Sequence, residues 1–229
     1  NSYCERYQRE EISISDVTRY LSTITVEAES FFVQKGPSMT LAQLQRYGII
    51  SQQFDQLTSD LFKVEIQRNK LMVTEAIQNG DYFIVNLGYN SIKSSVFMVY
   101  AKSRVKTEQE QALAELQQEQ EATQAVIKVL KALERASQFE ASQSLNLVPF
   151  QKALDIYVHY FQSAEIATIP ACNERVFQIF QQYRQNLLTH KTAQNAHALH
   201  LHFQTCCDLL AFLVKTTEQA DRVQQWRSE

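Results

Sequence analysis

An all-α fold is what this sequence predicts, and three observations carry the prediction. The chain of 229 residues holds only 4 Gly and 3 Pro, too few turn-formers for a sandwich or barrel, whose short strands need a turn about every ten residues. Apolar residues recur in steps of three and four along most of its length, the spacing of helices that pack along other helices. The stretch from Asn173 to Gln225 contains neither Gly nor Pro, so it reads as one helix around which the rest is organised. With 45% hydrophobic residues the chain can bury one large core or two smaller cores sharing helices. The expected architecture is a single elongated bundle of about six helices, with two stacked layers of core along the helix 173–227.

Residues 1–12 are polar and irregular, a frayed lead-in. From Ser13 or Ser15, either of which can cap, Ile14, Val17, Leu21, Ile24, Ala28 and Phe31 keep the helical spacing to Gln34. Lys35-Gly36-Pro37-Ser38 breaks that helix, and Thr40 with Gln43 has the capping-box spacing that starts the next. The second helix carries the seam Ile50, Phe54, Leu57, Leu61, Val64, Arg68 and Leu71, and Asn79-Gly80-Asp81 ends or kinks it. Residues 82–105 admit two readings. Their aromatic and β-branched runs with Gly88-Tyr89-Asn90 suit a hairpin, whereas Val85, Tyr89, Ile92, Val96 and Val99 fit a helical seam. The helix is favoured, because an isolated two-stranded hairpin is marginal in water.

From Lys106 to Ala141 the composition turns to Glu, Gln, Ala, Leu and Lys, strong helix formers with a thin apolar stripe that leaves the start of the helix exposed. Ser142 to Val148 reads as a loop. Pro149 suits a first helical turn, Phe150, Leu154, Tyr157 and Phe161 mark a short helix, and Ile169-Pro170 is expected to close it. Asn173 then caps the last helix. Along it Val176, Phe180, Tyr183, Leu187, His190, Gln194, His197 and Leu201 form one seam, while Leu199, Phe203, Cys206, Leu210, Leu213, Thr217 and Ala220 form another two residues out of phase. Unbroken, the helix would run roughly 80 Å and turn a new face to new neighbours halfway along.

Composition excludes several functions. A net charge of −3, with no lysine-arginine run longer than a pair, leaves no nucleic-acid footprint and no basic face for a membrane surface. The longest apolar runs, Leu209 to Val214 and Val96 to Ala101, fall far short of the ~20 residues of a membrane-spanning helix. Phosphate loops, dinucleotide fingerprints and nucleophile elbows need glycines that are absent, and no Glu-x-x-His or His-Glu-x-x-His occurs for a carboxylate-bridged or zinc centre. The four cysteines, Cys4, Cys172, Cys206 and Cys207, contain no Cys-x-x-Cys pair and read as buried small hydrophobes. A Cys4–Cys172 bridge has nothing in the sequence to support it. No cofactor is expected, and no catalytic or metal site. A chain that starts Asn1-Ser2, without Met or signal peptide, reads as a piece of a longer protein.

Four residues stand out as candidate ligand contacts. Arg68 interrupts an apolar seam, where a guanidinium is costly to bury unless a carboxylate, internal or on a ligand, pairs with it. Snorkelling toward solvent is its simpler role. Arg184, beside the final seam, is a potential companion. His190 and His197 sit seven apart on the last helix, with His200, His202, Cys206 and Cys207 following. A polar packing layer explains these histidines more simply than a metal or haem, though a ligand-contacting or pH-sensitive role fits them too.

The helix count, the seams Ile50–Leu71 and Val176–Leu201, and the final run Leu210–Arg227 together resemble the helical bimodular sensor domains of bacterial chemoreceptors and sensor histidine kinases. The resemblance is architectural and matches no motif residue by residue. It implies two stacked four-helix modules sharing long helices, in a periplasmic, homodimeric domain of an inner-membrane receptor. Such a domain binds a small molecule or a periplasmic binding protein and passes on a helix displacement. The rival expectation is a cytosolic or secreted helical interaction module, a scaffold or effector whose glutamate-rich helix docks a partner. A metal- or haem-binding enzyme on a bundle is a third.

Overall fold

The computed structural model describes Arg6 and residues 13–100, 106–138, 146–161 and 164–228. Among these it has eight α-helices and no strand: α1 Ile14–Lys35, α2 Leu41–Asn79, α3 Tyr82–Tyr100, α4 Lys106–Ser137, α5 Val148–Phe161, α6 Ile169–Thr189, α7 Ala196–Ala211 and α8 Thr217–Ser228. The all-α expectation holds, and residues 82–100 are helix rather than hairpin. The frayed lead-in, apart from Arg6, and residues 101–105 lie outside the described residues.

The chain divides into two compact units, one comprising Asn1–Lys70 with Asn90–Leu113 and the other Leu71–Tyr89 with Ala114–Glu229. Helices α2, α3 and α4 therefore contribute residues to both. In the first unit, α1 starts at a capping box in which the Asp16 amide donates to Ser13 Oγ and the Ser13 amide donates back to the Asp16 carboxylate, both at 3.2 Å. Gly36–Ser38 forms a single 3₁₀ turn, and α2 opens on the expected Thr40–Gln43 box, whose reciprocal bonds are 2.8 and 3.3 Å. The core of this unit is thin. Val17 and Leu21 meet Leu61, with Ile14 and Phe54 partly buried beside them, and Phe62, Ile92 and Val96 are buried as well.

The apolar seam expected along α2 is its buried face only in part, at Leu61 and the half-buried Phe54. Ile50, Leu57 and Val64 are 55, 40 and 48% exposed, while Phe62 and Asn69 are buried. What packs on α2 here covers the neighbouring stripe, one residue along from Leu61 and Arg68, and Arg68 consequently lies on the solvent side.

The second unit is dense and aromatic. Phe150, Tyr157, Phe177, Phe180 and Tyr183 are almost completely inaccessible, and Phe150 stacks on Tyr183 with ring centroids 3.8 Å apart. Leu116 is the first buried residue of α4, so the glutamate-rich start of that helix is the solvated portion, as its composition predicts. Gly80, at φ +75°, turns α2 into α3. Beside it Arg175 donates to Glu134 Oε1 at 3.0 and 2.8 Å, and the Tyr82 hydroxyl donates to the same oxygen at 2.7 Å.

The continuous helix from Asn173 does not exist. Residues 169–228 form three helices, all in the second unit. At the first corner Asn195 does the work that Gly or Pro would otherwise do: its side-chain oxygen accepts from the Thr192 amide at 2.7 Å and its NH₂ donates to the His190 carbonyl at 2.9 Å, satisfying backbone groups that the helix ends leave open. At the second corner the Gln219 amide donates to Thr216 Oγ1 at 3.2 Å, and Gln219 Oε1 accepts from the Lys215 amide at 2.9 Å, a variant of the capping box. The phase change between the two seams is the break itself. Val176, Phe180, Tyr183 and Leu187 are the buried face of α6, Leu199, Phe203, Cys206 and Leu210 that of α7, and His197 and Leu201 are exposed.

Two further expectations are corrected. Pro170 opens α6 instead of closing the preceding helix, because Pro at the start of a helix forfeits no intrahelical bond. Asn173 consequently sits inside α6, buried, accepting a hydrogen bond from the Tyr157 hydroxyl at 2.7 Å. Cys172 is a free, buried thiol, as are Cys206 and Cys207, while Cys4 lies outside the described residues.

Candidate functional site

The residues singled out from the sequence stand in different surroundings. Arg68 is exposed on α2 and belongs to the first unit, whereas Arg184, His190 and His197 belong to the second. Arg184 is buried on α6 with its guanidinium 5.8 Å from the Phe203 ring centroid, a cation–π contact inside the core. His190 caps the C-terminus of α6, its Nδ1 2.9 Å from the Asn186 carbonyl oxygen and 3.0 Å from Thr189 Oγ1. His197 lies in the first turn of α7 and faces solvent.

The histidine that is built into the structure is His202. Its Nε2 lies 2.9 Å from the Tyr183 hydroxyl and 3.6 Å from Cys206 Sγ. Burial lowers its pKa to about 4, so the ring is neutral, and burial pushes the Cys206 thiol well above its ordinary range. Burial also pushes Cys207 up to about 11, outweighing the opposing charges of Arg227 and Arg184. A thiolate is the reactive form of cysteine. This Cys–His pair is sealed and protonated on sulfur, a polar packing layer of the kind the sequence suggested. Among the described residues no group of three His, Cys, Asp or Glu side chains is arranged to hold a metal ion.

An open space lies in the first unit instead. The hairpin of α1 and α2 is pinned at one end by Val17, Leu21 and Leu61 and at the other by Phe32 stacked on Tyr47 with centroids 4.8 Å apart. Between the pins α1 turns Thr18, Ser22 and Thr25 inward, side chains too small to fill the gap. Two adjoining hollows result. The larger, about 360 Å³, lies between α1, α2 and the end of α3 with Leu21, Phe54, Phe62, Met98 and Val99 in its lining. The smaller, about 150 Å³, adds Ile24, Ala28, Tyr47 and Ile50. Thr25 and Phe54 line both, so the two form one groove. From Thr18 to Glu29 it follows α1 for roughly 16 Å at the helical rise.

The polar lining is made of hydroxyls and carboxylates, with Ser22 in the larger hollow and Ser51 in the smaller beside three threonines. Thr18, Thr25 and Thr58 donate their hydroxyl hydrogens to carbonyls four residues back, at 2.8, 3.0 and 2.9 Å. What remains on each oxygen is acceptor capacity. The charged residues in the described lining are Asp55 and Glu29, both carboxylates. No apolar pattern marks this site, because its α1 face is made of hydroxyl residues that lie beside the apolar stripe.

Comparisons with family models, with curated proteins and with solved structures return no match for this chain.

Proposed function

We propose that this chain is a ligand-sensing helical domain without catalytic activity of its own, and that the α1–α2 groove takes its ligand. The observation that supports this is the groove: a space of about 360 Å³, within the roughly 300–1,000 Å³ common for small-molecule sites and, like them, apolar with a few placed polar groups. The proposal moves the ligand site away from Arg68, Arg184, His190 and His197. It retains the small-molecule ligand, the homodimer, and the periplasmic setting in an inner-membrane receptor anchored by segments beyond this chain. No described helix is long and apolar enough to cross a membrane. A ligand that fills the groove draws α1 onto α2, and its differential affinity for the closed hairpin supplies the displacement to be transmitted.

The test is saturable binding of the neutral solvatochromic dye Nile red. One site per chain is expected, lost in Thr25→Trp, which fills the position common to both hollows, with helical circular dichroism unchanged. Dye binding that is absent, or indifferent to Thr25→Trp, would refute the groove as the site. Topology mapping of the full-length protein checks the setting, and a cytosolic location of residues 13–228 would refute the receptor part.

A second reading, a protein-interaction module, is favoured by Ile50, Leu57 and Val64, exposed apolar residues seven apart on one helix. That spacing suits an added helix packing along α2.

A further inference from the structure

We infer that the exposed face of α2 pairs antiparallel with α2 of a second copy of this chain, about a two-fold axis at Gln53. This names the interface of the homodimer proposed above and stands independently of the groove. The face lies within the first unit and consists of two neighbouring lines of residues seven apart, Ile50, Leu57 and Val64 on one, Arg46, Gln53 and Asp60 on the other. All six are exposed. Taken together they alternate in steps of four and three, a continuous strip of the kind that a second helix covers.

The order of residues along the strip selects its occupant. A two-fold contact is isologous, so whatever residue i meets must also be met by its own copy. Arg46 and Asp60 stand at equal distances on either side of Gln53, roughly 10 Å at the helical rise. An antiparallel copy centred there brings Arg46 level with Asp60 of the second copy and Asp60 level with its Arg46, two ion pairs from one symmetric line. Ile50 and Leu57, on either side of Gln53, come level with one another's copies to within one residue, which adds two apolar contacts. At the axis Gln53 meets itself, and an amide, donor and acceptor in one group, can bond reciprocally to its own copy.

Other arrangements lose these matches. A parallel pair sets Arg46 beside Arg46 and Asp60 beside Asp60, like charges facing. An antiparallel pair centred on Leu57 joins Ile50 to Val64 but turns Arg46 toward Gln67 and Asp60 toward Gln53, with no charge opposite either. Within the chain Asp60 Oδ1 accepts from Gln56 and Lys63 at 2.9 and 3.3 Å. The Lys63 pair is 58 and 55% exposed, a weak surface contact, and Oδ2 faces an incoming guanidinium.

Six residues a side fall short of the roughly 20–30 of a standard interface, so a dissociation constant on the order of 10–100 µM is expected from sedimentation equilibrium of the whole chain. Arg46→Asp and Asp60→Arg should each weaken the dimer about tenfold at low salt, and the double variant, which reverses both pairs, should restore it to within about threefold. Both side chains are exposed, and unchanged helical circular dichroism checks that the variants fold. In a Cys4→Ser background Gln53→Cys should form a disulfide-linked dimer under oxidised glutathione, while Leu57→Cys, set about a helical turn and more from its own copy, should not. Crosslinking at Leu57→Cys in place of Gln53→Cys, or a dimer indifferent to the charge reversals, would overturn this interface and leave the homodimer standing. A chain monomeric across the whole concentration range would overturn both and leave the groove untouched.

Discussion

Gly80→Ala is the most demanding stability test of this fold, because two separable effects meet at one atom. Gly80 has φ +75°, a left-handed conformation that disfavours an L side chain by about 1–2 kcal/mol. A Cβ there would also stand 2.5 Å from Arg175 Nη2 and 2.9 Å from Cζ. Normally the end of an arginine swings away at little cost. This one is held by Glu134 at 3.0 and 2.8 Å, by Gln178 Oε1 at 3.2 Å and by the Gln78 carbonyl at 3.4 Å. The Arg175 and Glu134 side chains are only 16 and 24% exposed, so displacing the guanidinium costs about another 1–2 kcal/mol, between a surface and a buried pair. Together the substitution should destabilise the second unit by about 2–4 kcal/mol. Trp226, the sole tryptophan, is buried 5.2 Å from Phe180 in this unit, so its fluorescence in urea reports the loss directly. In an Arg175→Ala background the clash has no target, and Gly80→Ala should then cost only the backbone strain of about 1–2 kcal/mol. Equal costs in the two backgrounds would refute the clash, and a cost below about 0.5 kcal/mol in both would refute the backbone argument as well.

Three further outcomes follow from the same geometry. Because His202 is held neutral with a pKa lowered from 6.5 to about 4, the unfolded chain takes up a proton below pH 6.5 that the fold refuses; stability is full above that pH and falls toward pH 4 by up to about 1.4 kcal/mol per unit. Urea midpoints at pH 7 and 5 should differ in the native sequence and much less in His202→Gln, and matching slopes would remove the assignment. Asn195→Ala strips the α6–α7 corner of two hydrogen bonds and should cost about 1–2 kcal/mol, measured by Trp226 fluorescence, while Gln194→Ala beside it should be near neutral; parity between the two would mean the corner does not depend on Asn195. Leu57→Glu, at a position 40% exposed, should leave monomer stability within about 0.5 kcal/mol yet abolish any helix-mediated self-association seen by light scattering, and an association untouched by it would exclude this stripe as the interface.

The helices that could be read from the sequence are those whose ends are marked by residues with one dominant meaning. Ser13 with Asp16, Gly36-Pro37, Thr40 with Gln43, and Asn79-Gly80 each have few alternatives, and the structure uses all four. The corners after His190 and Ala211 were hidden because side chains that are ordinary inside helices, Asn195, Thr216 and Gln219, supply the missing backbone partners. Absence of Gly and Pro is therefore a weak argument for continuity. A two-residue phase slip between seams is a stronger argument against it, since one straight helix seldom buries two opposed stripes. Thr216-x-x-Gln219 itself has the spacing of a cap. His190 and His197 share a face only if α6 and α7 are one rod, so the same break removes the pairing that their spacing suggested.

The groove was illegible for a different reason, and that reason bears on where a binding site arises in an all-helical chain. A hydrophobic stripe marks where helices meet, so reading stripes finds cores and passes over the places where meeting is incomplete. The second unit fills its interior with Phe150, Tyr157, Phe177, Phe180 and Tyr183, and the space it encloses is spent on packing. The first unit sets Thr18, Ser22 and Thr25 where a core would have Leu or Ile. Each hydroxyl is satisfied locally or at the surface, so the substitution carries little penalty from unpaired polar atoms, but it leaves volume unfilled. Unfilled volume between two helices pinned only at their ends lowers the cost of moving one against the other. The composition that weakens this hairpin's core is thus the same one that gives a ligand both a place to sit and a motion to control.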